Sequence, residues 1–292
     1  MFFLDFGVAG HRFRLCFHED DEPYKDLLPS YAPFLLKTAD GPMLFSMEIG
    51  PGLVNTDAEG DELGQFDCNG IMHGIYRTAN GYKIVIGNMT GGVSCALQTS
   101  KDFSKCFATL EGETSNRAFG INNAIMIAFA FAGAYKQTVL MHASVIMNKN
   151  KGYLFLGKSG TGKSTHSRLW MQHVPGSDLL NDDNPAVRVV RDKVYVYGTP
   201  WSGKTPCYRN LYTEVGAFLR LKQAPENVIS REMPVRAFAS VLSSCSTMLW
   251  DKESYNSICG IVEDIIKKVP AYFMACRPDK EAAELSFSTI VR

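Results

Sequence analysis

The stretch YLFLGKSGTGKSTHSRLW, Tyr153 to Trp170, decides how the rest of the chain is read. It opens on an unbroken apolar run, Tyr153–Leu156, the pattern of a buried strand. Gly157, Gly162, Lys163 and Ser164 then satisfy G-x-x-x-x-G-K-[ST], with Ser159, Gly160 and Thr161 inside the loop and Thr165 after it. Glycines at 157, 160 and 162 let the backbone curl through positive φ, so that successive N–H groups point inward at phosphate oxygens. A helix starting at Lys163 adds the positive end of its dipole. Lys163 would reach the β- and γ-phosphates, and the Ser164 hydroxyl would ligate Mg²⁺. The polar-apolar mix of 163–173 predicts a helix, ended by PGSD at 175–178. Strand, loop and helix in that order distinguish a phosphate loop from a glycine turn.

One helix and one turn later, LLNDDN (Leu179–Asn184) sets Asp182 and Asp183 at the end of a short apolar run. A nucleotide site needs a carboxylate to hold Mg²⁺ opposite the loop serine. Transfer also needs a base for an acceptor hydroxyl, and a carboxylate serves when held close to it. Two adjacent aspartates can divide these tasks in either order; without a phosphate loop nearby they would read as a surface turn before Pro185. His142, in MHAS before an apolar run, reads by itself as a core histidine. In TPWSGKTP (Thr199–Pro206), Lys204, together with Arg209 beyond it, either neutralises charge on a transferring phosphate or its acceptor, or belongs to a surface loop anchored by Trp201. Arg168 reads as a solvent-facing or structural residue.

The chain of 292 residues is 46% hydrophobic, enough for a real core, and its 30 basic residues balance 30 acidic ones. That balance gives no bulk electrostatic reason to bind nucleic acid or an anionic membrane. Eight cysteines, at 16, 68, 95, 106, 207, 245, 259 and 276, include no pair at zinc-ligand spacing and read as reduced thiols. The start, MFFLDFGVAGHRFRL, lacks the basic head and small-residue cleavage site of a signal peptide. The most apolar segment, Ala124–Tyr135, reads as a buried helix too short to span a bilayer. These features lead to the expectation of a cytoplasmic protein.

Before about residue 115 the chain alternates short apolar runs with turn signals. RFRLCF, PFLLK, MLFSMEI, IYRTANGYKIVIG and VSCAL have β character, and Asn80-Gly81 is a hairpin signal. The acidic clusters Glu19–Glu22 and Asp57–Glu62 read as solvated turns; the second fails as a calcium loop because Cys68 stands where glutamate is required. A helix is expected over 116–136, strands over Val139–Met147 and Gly152–Leu156, a hairpin turning at Arg191–Lys193, helices over 256–268 and near DKEAAEL, and a strand at AYFMACR. The pattern changes from β-meander to strand–loop–helix near residue 138.

Three of these features together resemble the catalytic domain of the HPr kinase/phosphorylase family and the nucleotide core of phosphoenolpyruvate carboxykinase. SGTGKST (159–165) is similar to the carboxykinase phosphate loop, and NDDN (181–184) to the double-aspartate motif of both families. MHAS (141–144) sits where both have a histidine entering a strand, near the metal or the transferred phosphate. TEVGAFLRL (213–221) and VPAYFMACRPD (269–279) resemble kinase-related stretches, so the likeness covers about residues 139–280. It does not extend to 1–138. The region matching the kinase's arginine-glycine signature reads YGTPWSGKTPCYRN, and the carboxykinase substrate-arginine region has no counterpart.

The resemblance implies an α/β fold: a carboxykinase-like P-loop domain with a mixed sheet over 139–292, preceded by a mainly β N-terminal domain over 1–138 closed by a helix. It implies ATP and Mg²⁺ as cofactors and transfer of the γ-phosphate to a serine or similar hydroxyl of a protein or peptide. The catalytic set would be Asp182, Asp183, His142 and Lys163. Nucleotide would be held by Gly157, Ser159, Gly160, Thr161, Gly162, Lys163, Ser164 and Thr165, and metal by Ser164, Asp182 and Asp183. Kinase relatives assemble into rings and can run the reverse phosphorylase reaction, so a homo-oligomer and that activity accompany the reading. The alternatives are a nucleotide-binding or hydrolysing regulatory module and a carboxykinase-like enzyme acting on a small oxoacid. No base-reading motif separates ATP from GTP.

Overall fold

A computed structural model of the chain describes residues 1–18, 24–57, 59–68, 71–203 and 205–291. The acidic cluster Glu19–Glu22 and Lys204 lie outside the described residues, as does the side chain of Cys68. The fold is mixed α/β, mostly strand, in two compact units, Met1–Tyr135 and Lys136–Arg292, each built on its own mixed sheet.

The first unit has eight strands: β1 (Phe2–Val8), β2 (His11–Phe17), β3 (Met43–Ile49), β4 (Asp61–Cys68), β5 (Ile71–Thr78), β6 (Gly81–Gly87), β7 (Val93–Ser100) and β8 (Lys105–Leu110). Their order is β1-β2-β3-β8-β7-β6-β5-β4, with β3 parallel to both neighbours and the other pairs antiparallel. Alternation explains the core face. In β2 every second side chain is buried, and Phe13 stacks on Phe45 at 4.8 Å with Phe129 edge-on at 6.5 Å. Phe129 belongs to α2 (Thr114–Ala134), which follows a short α1 (Tyr24–Leu27) and lies against β3, β6, β7 and β8. Among the described residues α2 is the one helix long and apolar enough to cross a membrane, and most of that stretch is buried in the fold.

Two expectations for this half change. Asp61 and Glu62 open β4 rather than a turn; they are exposed on the terminal strand of the sheet, where charge discourages further strand pairing. PFLLK is not a strand. Pro29–Phe34 forms a 3₁₀ turn with proline at 29 and 33, and only Leu35 bridges to Phe6. The seven cysteines with described side chains are free thiols, none of them exposed.

The second unit contains β9 (Thr138–Leu140), β10 (Ala143–Asn148), β11 (Lys151–Leu156), α3 (Lys163–His173), β12 (Asp178–Asp183), β13 (Ala186–Val190), β14 (Lys193–Tyr197), β15 (Tyr212–Gln223), β16 (Val228–Arg231), α4 (Pro234–Leu242), α5 (Lys252–Lys268), β17 (Ala271–Cys276) and α6 (Lys280–Ile290). The main sheet runs β12-β10-β11-β15-β14-β13-β9, and β17 joins β15 beyond β14. β11, β15 and β17 are parallel and end at the same edge. The expected strand Val139–Met147 is in fact two. Met141 and His142 interrupt it, and β9 pairs with β13 while β10 pairs with β11 and β12. β12 and β13 are likewise separated by only Asn184 and Pro185.

These two breaks are tied together. The Met141 N–H donates to the Pro185 carbonyl (3.0 Å), and the His142 N–H donates to the Ser244 carbonyl (2.7 Å). Three peptide units span at most about 11 Å, so the two ends of the pairing order meet here and the sheet coils back on itself. Asn181, fully buried on β12, braces the corner by donating to the Thr199 hydroxyl (3.1 Å), whose own proton goes to the Asn184 carbonyl (2.7 Å).

The helix α3 begins where the apolar run of β11 ends and packs against α6. Trp170 and His166 both reach Ser286 of α6: Trp170 Nε1 donates to its hydroxyl oxygen at 2.8 Å, and His166 Nε2 lies at 3.0 Å. Ser286 passes its own proton to the Ala283 carbonyl (3.0 Å), so the His166 ring carries its proton on Nε2. Burial pushes the His166 pKa down to about 4.

Between the ordinary histidine value, about 6.5, and about 4 the unfolded chain binds the proton and the folded chain does not. Stability therefore falls with pH across that window, by about 3 kcal/mol in full. All three tryptophans lie in the second unit, so urea unfolding followed by tryptophan fluorescence reports on it. His166→Gln keeps a partner for Ser286 and should flatten the loss seen in the wild type between pH 6.5 and 4. A wild-type-minus-variant difference that stays constant over that range would count against a buried neutral His166.

Candidate active site at the sheet corner

The loop between β11 and α3 has the curl its glycines allow: φ is +147° at Gly157, +81° at Gly160 and +100° at Gly162. Gly157 admits no side chain, because a Cβ there would lie 2.5 Å from Thr161 Oγ1. Thr161 closes the loop by donating its hydroxyl and its N–H to the Lys158 carbonyl at 2.8 and 3.2 Å. Lys163, buried at the helix start, folds its ammonium back onto the carbonyls of Gly157 (2.9 Å) and Lys158 (3.4 Å). Gln223, at the end of β15, donates to the Gly160 carbonyl (3.0 Å) and fixes the loop tip to the sheet.

Strand register brings the other groups to the same edge. A single row crosses the sheet through Asp183, Ala143, Leu156, Arg220 and Phe273. The adjacent row runs Asp182, Ser144, Phe155, Leu219, Tyr272. Residues paired across strands share a face, and successive residues alternate. The second row faces α3: Ser144 hydrogen-bonds Ser167 at 2.6 Å, and Phe155 packs edge-on to His166 and Trp170. Asp182 therefore shares the face of the helix that starts with Lys163 and Ser164, whereas Asp183 shares the opposite face with Arg220 and Phe273.

Asp183 is half-buried. Its Oδ1 lies 3.4 Å from His142 Nδ1, and its Oδ2 accepts from Asn184 Nδ2 at 2.8 Å. The TPWSGKTP segment runs alongside: Ser202 bridges to Asp183, and the Gly203 N–H donates to the Asp182 carbonyl at 2.6 Å. Glycine is required for that approach, since a Cβ at 203 would stand 2.8 Å from the same carbonyl. A cleft of about 780 Å³ opens beside the corner, lined by His142, Gly157–Thr161, Arg220–Gln223, Phe273 and the serines 240, 243 and 244 at the end of α4.

The electrostatics tie these groups to one another. Burial, then the Lys163 charge, lowers the His142 pKa, against opposing pulls from Asp183 and Asp182. Burial also lowers Lys163, again against the two aspartates. Asp183 is raised, chiefly by burial, with His142 and Lys163 opposing and Asp182 adding to the rise. At neutral pH His142 is thus a neutral ring beside a carboxylate that binds a proton more readily than an ordinary aspartate.

The donor set suits a hard cation. Asp182 is buried and its Oδ2 has no hydrogen-bond partner among the described residues, an orphaned carboxylate oxygen of the kind a cation satisfies. Ser164, Asp182 and Asp183 supply oxygen only, as Mg²⁺ prefers. Among the described residues no cluster of three or more histidine, cysteine, aspartate or glutamate side chains could cage a metal by itself. Such a sparse set fits a metal that takes the rest of its ligands from water and phosphate.

Of the remaining expected residues, Ser159 and Gly160 are exposed on the loop, while Ser164 and Thr165 are half-buried in the first turn of α3. Arg209 stands elsewhere. It is bound to Asp178 and to the Leu179 carbonyl, both at 2.6 Å, at the start of β12, whereas the aspartates lie at its end. Its guanidinium is thereby committed away from the loop, so the expected phosphate or acceptor contact is withdrawn. Arg168 is exposed and reaches Thr165. Arg220, Lys222, Gln223 and the α4 serines line the cleft without having been singled out in the sequence. Their signal was FLRLKQ (218–223), where cations two residues apart end an otherwise apolar strand.

No family model and no curated protein sequence matches the chain. Among solved structures, the Hpr(Ser) kinase/phosphatase from Coxiella burnetii matches at 13% identity and a TM-score of 0.30, over 51% of this chain and 91% of that one. A likeness at that score identifies neither fold nor function.

The mutual effects of the three titrating groups have definite signs. Removing the Lys163 charge with Lys163→Met should raise the pKa of His142, which that charge lowers, and should also raise Asp183 further. Histidine ring signals followed by NMR across the pH range would show the His142 midpoint moving up. A midpoint that is unchanged or lower would mean that Lys163 does not face His142.

Proposed function

We propose that the Lys136–Arg292 unit is an ATP-dependent phosphotransferase of the HPr kinase type, moving the γ-phosphoryl group to a serine or similar hydroxyl of a protein or peptide. The observation that carries this reading is the division of the two aspartates between opposite faces of β12. Asp182, on the α3 face with an unpaired buried oxygen, suits a metal; Asp183, beside His142 and the open cleft, suits a base. A hydrolase needs room for a water only, whereas the cleft of about 780 Å³ beyond the loop accommodates a second reactant.

In this mechanism the loop amides of 157–164 hold the phosphates. Lys163 exchanges its bonds to the Gly157 and Lys158 carbonyls for phosphate oxygens. Ser164 and Asp182 are the residues that would hold Mg²⁺, whose chemistry is to neutralise charge on the β- and γ-phosphate oxygens. The acceptor oxygen attacks the γ-phosphorus in line, the bond from that phosphorus to the bridging oxygen breaks, and ADP leaves with its electron pair. The hydroxyl proton passes to Asp183, whose raised affinity for protons suits the task. His142, neutral, keeps its Nδ1 proton toward Asp183 and orients the carboxylate.

The test is incubation with γ-labelled ATP, Mg²⁺ and host lysate. Wild-type protein should label a discrete acceptor. Asp183→Asn should cut transfer by about 10²-fold or more while nucleotide still binds, and Lys163→Ala should weaken nucleotide binding itself. Nucleotide bound without label reaching any acceptor, or phosphate released alone, would favour a binding or hydrolysing module instead.

The same assignment predicts the pH profile. Asp183 must be ionised to act, so the rate should fall as pH drops through its value. Because that value is raised, the acidic limb should lie above the ordinary aspartate range near about 3.9. Single-turnover transfer rates measured against pH would show it, and a limb at or below that range would argue against Asp183 as the base.

A further inference from the structure

The cleft carries charge that the phosphotransferase reading does not use. Lys158, Arg220 and Lys222 all line it and all are exposed, in a chain whose charges balance overall. No carboxylate lines it, and no ion pair holds any of the three among the described residues. Among the described residues the Arg220 side chain hydrogen-bonds only the Ser240 hydroxyl, at 3.4 Å, and Ser240 gives its own proton to Glu232 at 2.9 Å. The cations are also held in place. β15 is hydrogen-bonded to β11 on one side and β17 on the other, and Gln223 pins its end to the phosphate loop.

The side of the loop on which they stand matters. A phosphate chain bound in such a loop runs from its γ end, near the first loop residues and the lysine, toward the helix start. The cleft is lined by Gly157–Thr161 and His142 but by none of Gly162–Thr165. It therefore opens from the γ end, where the acceptor must enter, rather than from the nucleoside end. Arg220 and Lys222 lie two apart on one face of β15, about 7 Å from each other along the strand. That spacing matches alternate side chains of an extended peptide.

Resting on the phosphotransferase reading, we infer that the acceptor is an acidic peptide segment, with carboxylates within a residue or two of the hydroxyl engaged by Arg220 and Lys222. Carboxylate–guanidinium and carboxylate–ammonium contacts at a half-open site select the partner and its register more than they add affinity.

The experiment uses the full chain, MgATP and three fluorescent peptides of equal length. Each has a single serine flanked on both sides by glutamate, by glutamine or by lysine. The glutamate peptide should show a KM about tenfold below the glutamine peptide, the scale of two partly exposed ion pairs. Arg220→Gln should narrow that gap. Arg220→Glu combined with Lys222→Glu should invert it in favour of lysine, with the KM for ATP unchanged. The ATP value also reports that the variants remain folded. Equal use of the glutamate and glutamine peptides removes the acidic acceptor and leaves the phosphotransferase standing. A rise in the KM for ATP in the variants, with peptide preference intact, overturns the inference by assigning the cations to the nucleotide. Binding of MgATP with no phosphate reaching any of the three peptides overturns the phosphotransferase reading and this inference with it.

Discussion

The hydrogen bond from the Met141 amide to the Pro185 carbonyl is the point on which the second unit turns. It joins two breaks in two different strands. Together with the bond from the His142 amide to the Ser244 carbonyl, it keeps Thr138–Asn148 from running as one strand and holds His142 out of the sheet's alternation. Each such bond is worth only about 1 kcal/mol net. The corner is nevertheless over-determined, because Pro185 has no N–H to continue a ladder and the buried amide of Asn181 must find its acceptors at Thr199 and Trp201 or be stranded. An apolar residue at 181 would spare the sheet that requirement but would leave the Asn184 turn without its brace.

Once the corner is fixed, the rest of the site follows from register. Ala143 faces Leu156 on one side and Asp183 on the other, so the strand ends that carry the histidine, the phosphate loop and the aspartates are set to within one residue of each other. Backbone ladders do this positioning, and the side chains need little support of their own. That explains how Asp182 can keep an oxygen with no hydrogen-bond partner: its strand is held by Asn181, Gly203 and β10, whatever its carboxylate does. Burial also moves the proton affinities of His142, Lys163 and Asp183, each against or with the charges of the other groups.

Legibility in the sequence followed the range of the interactions. The phosphate loop and the limits of α3 could be read because their determinants are local: glycines for positive φ, an apolar run before, a proline-glycine stop after. The aspartate pair was legible as a residue type in the right place. The division of labour between Asp182 and Asp183 was not, because it depends on which face of β12 meets α3. The break at Met141–His142 was hidden for a similar reason: Val139–Met147 is uniformly apolar, and the interruption comes from partners at 185 and 244. Arg209 was open to two readings, a contact with phosphate or acceptor and a place in a surface loop. The chain carries it to the far end of β12, where Asp178 takes it up. Arg220 and Lys222 look like surface residues in sequence, and only the parallel pairing of β11, β15 and β17 brings them to the loop.

The two faces of β15 have unrelated duties. Ala217 and Leu219 belong to the core packed on Trp170 and Tyr272, while Arg220 and Lys222 line the cleft. Adding or deleting one residue before Ala217 would exchange the two sets, burying charge in the core and presenting leucines to the cleft. The turn at Lys149–Asn150, exposed and outside the cleft, has no such coupling. Length variation in descendants of this gene should therefore gather at turns of that kind. The span from Tyr212 to Gln223 should keep its count of residues even where its identities drift.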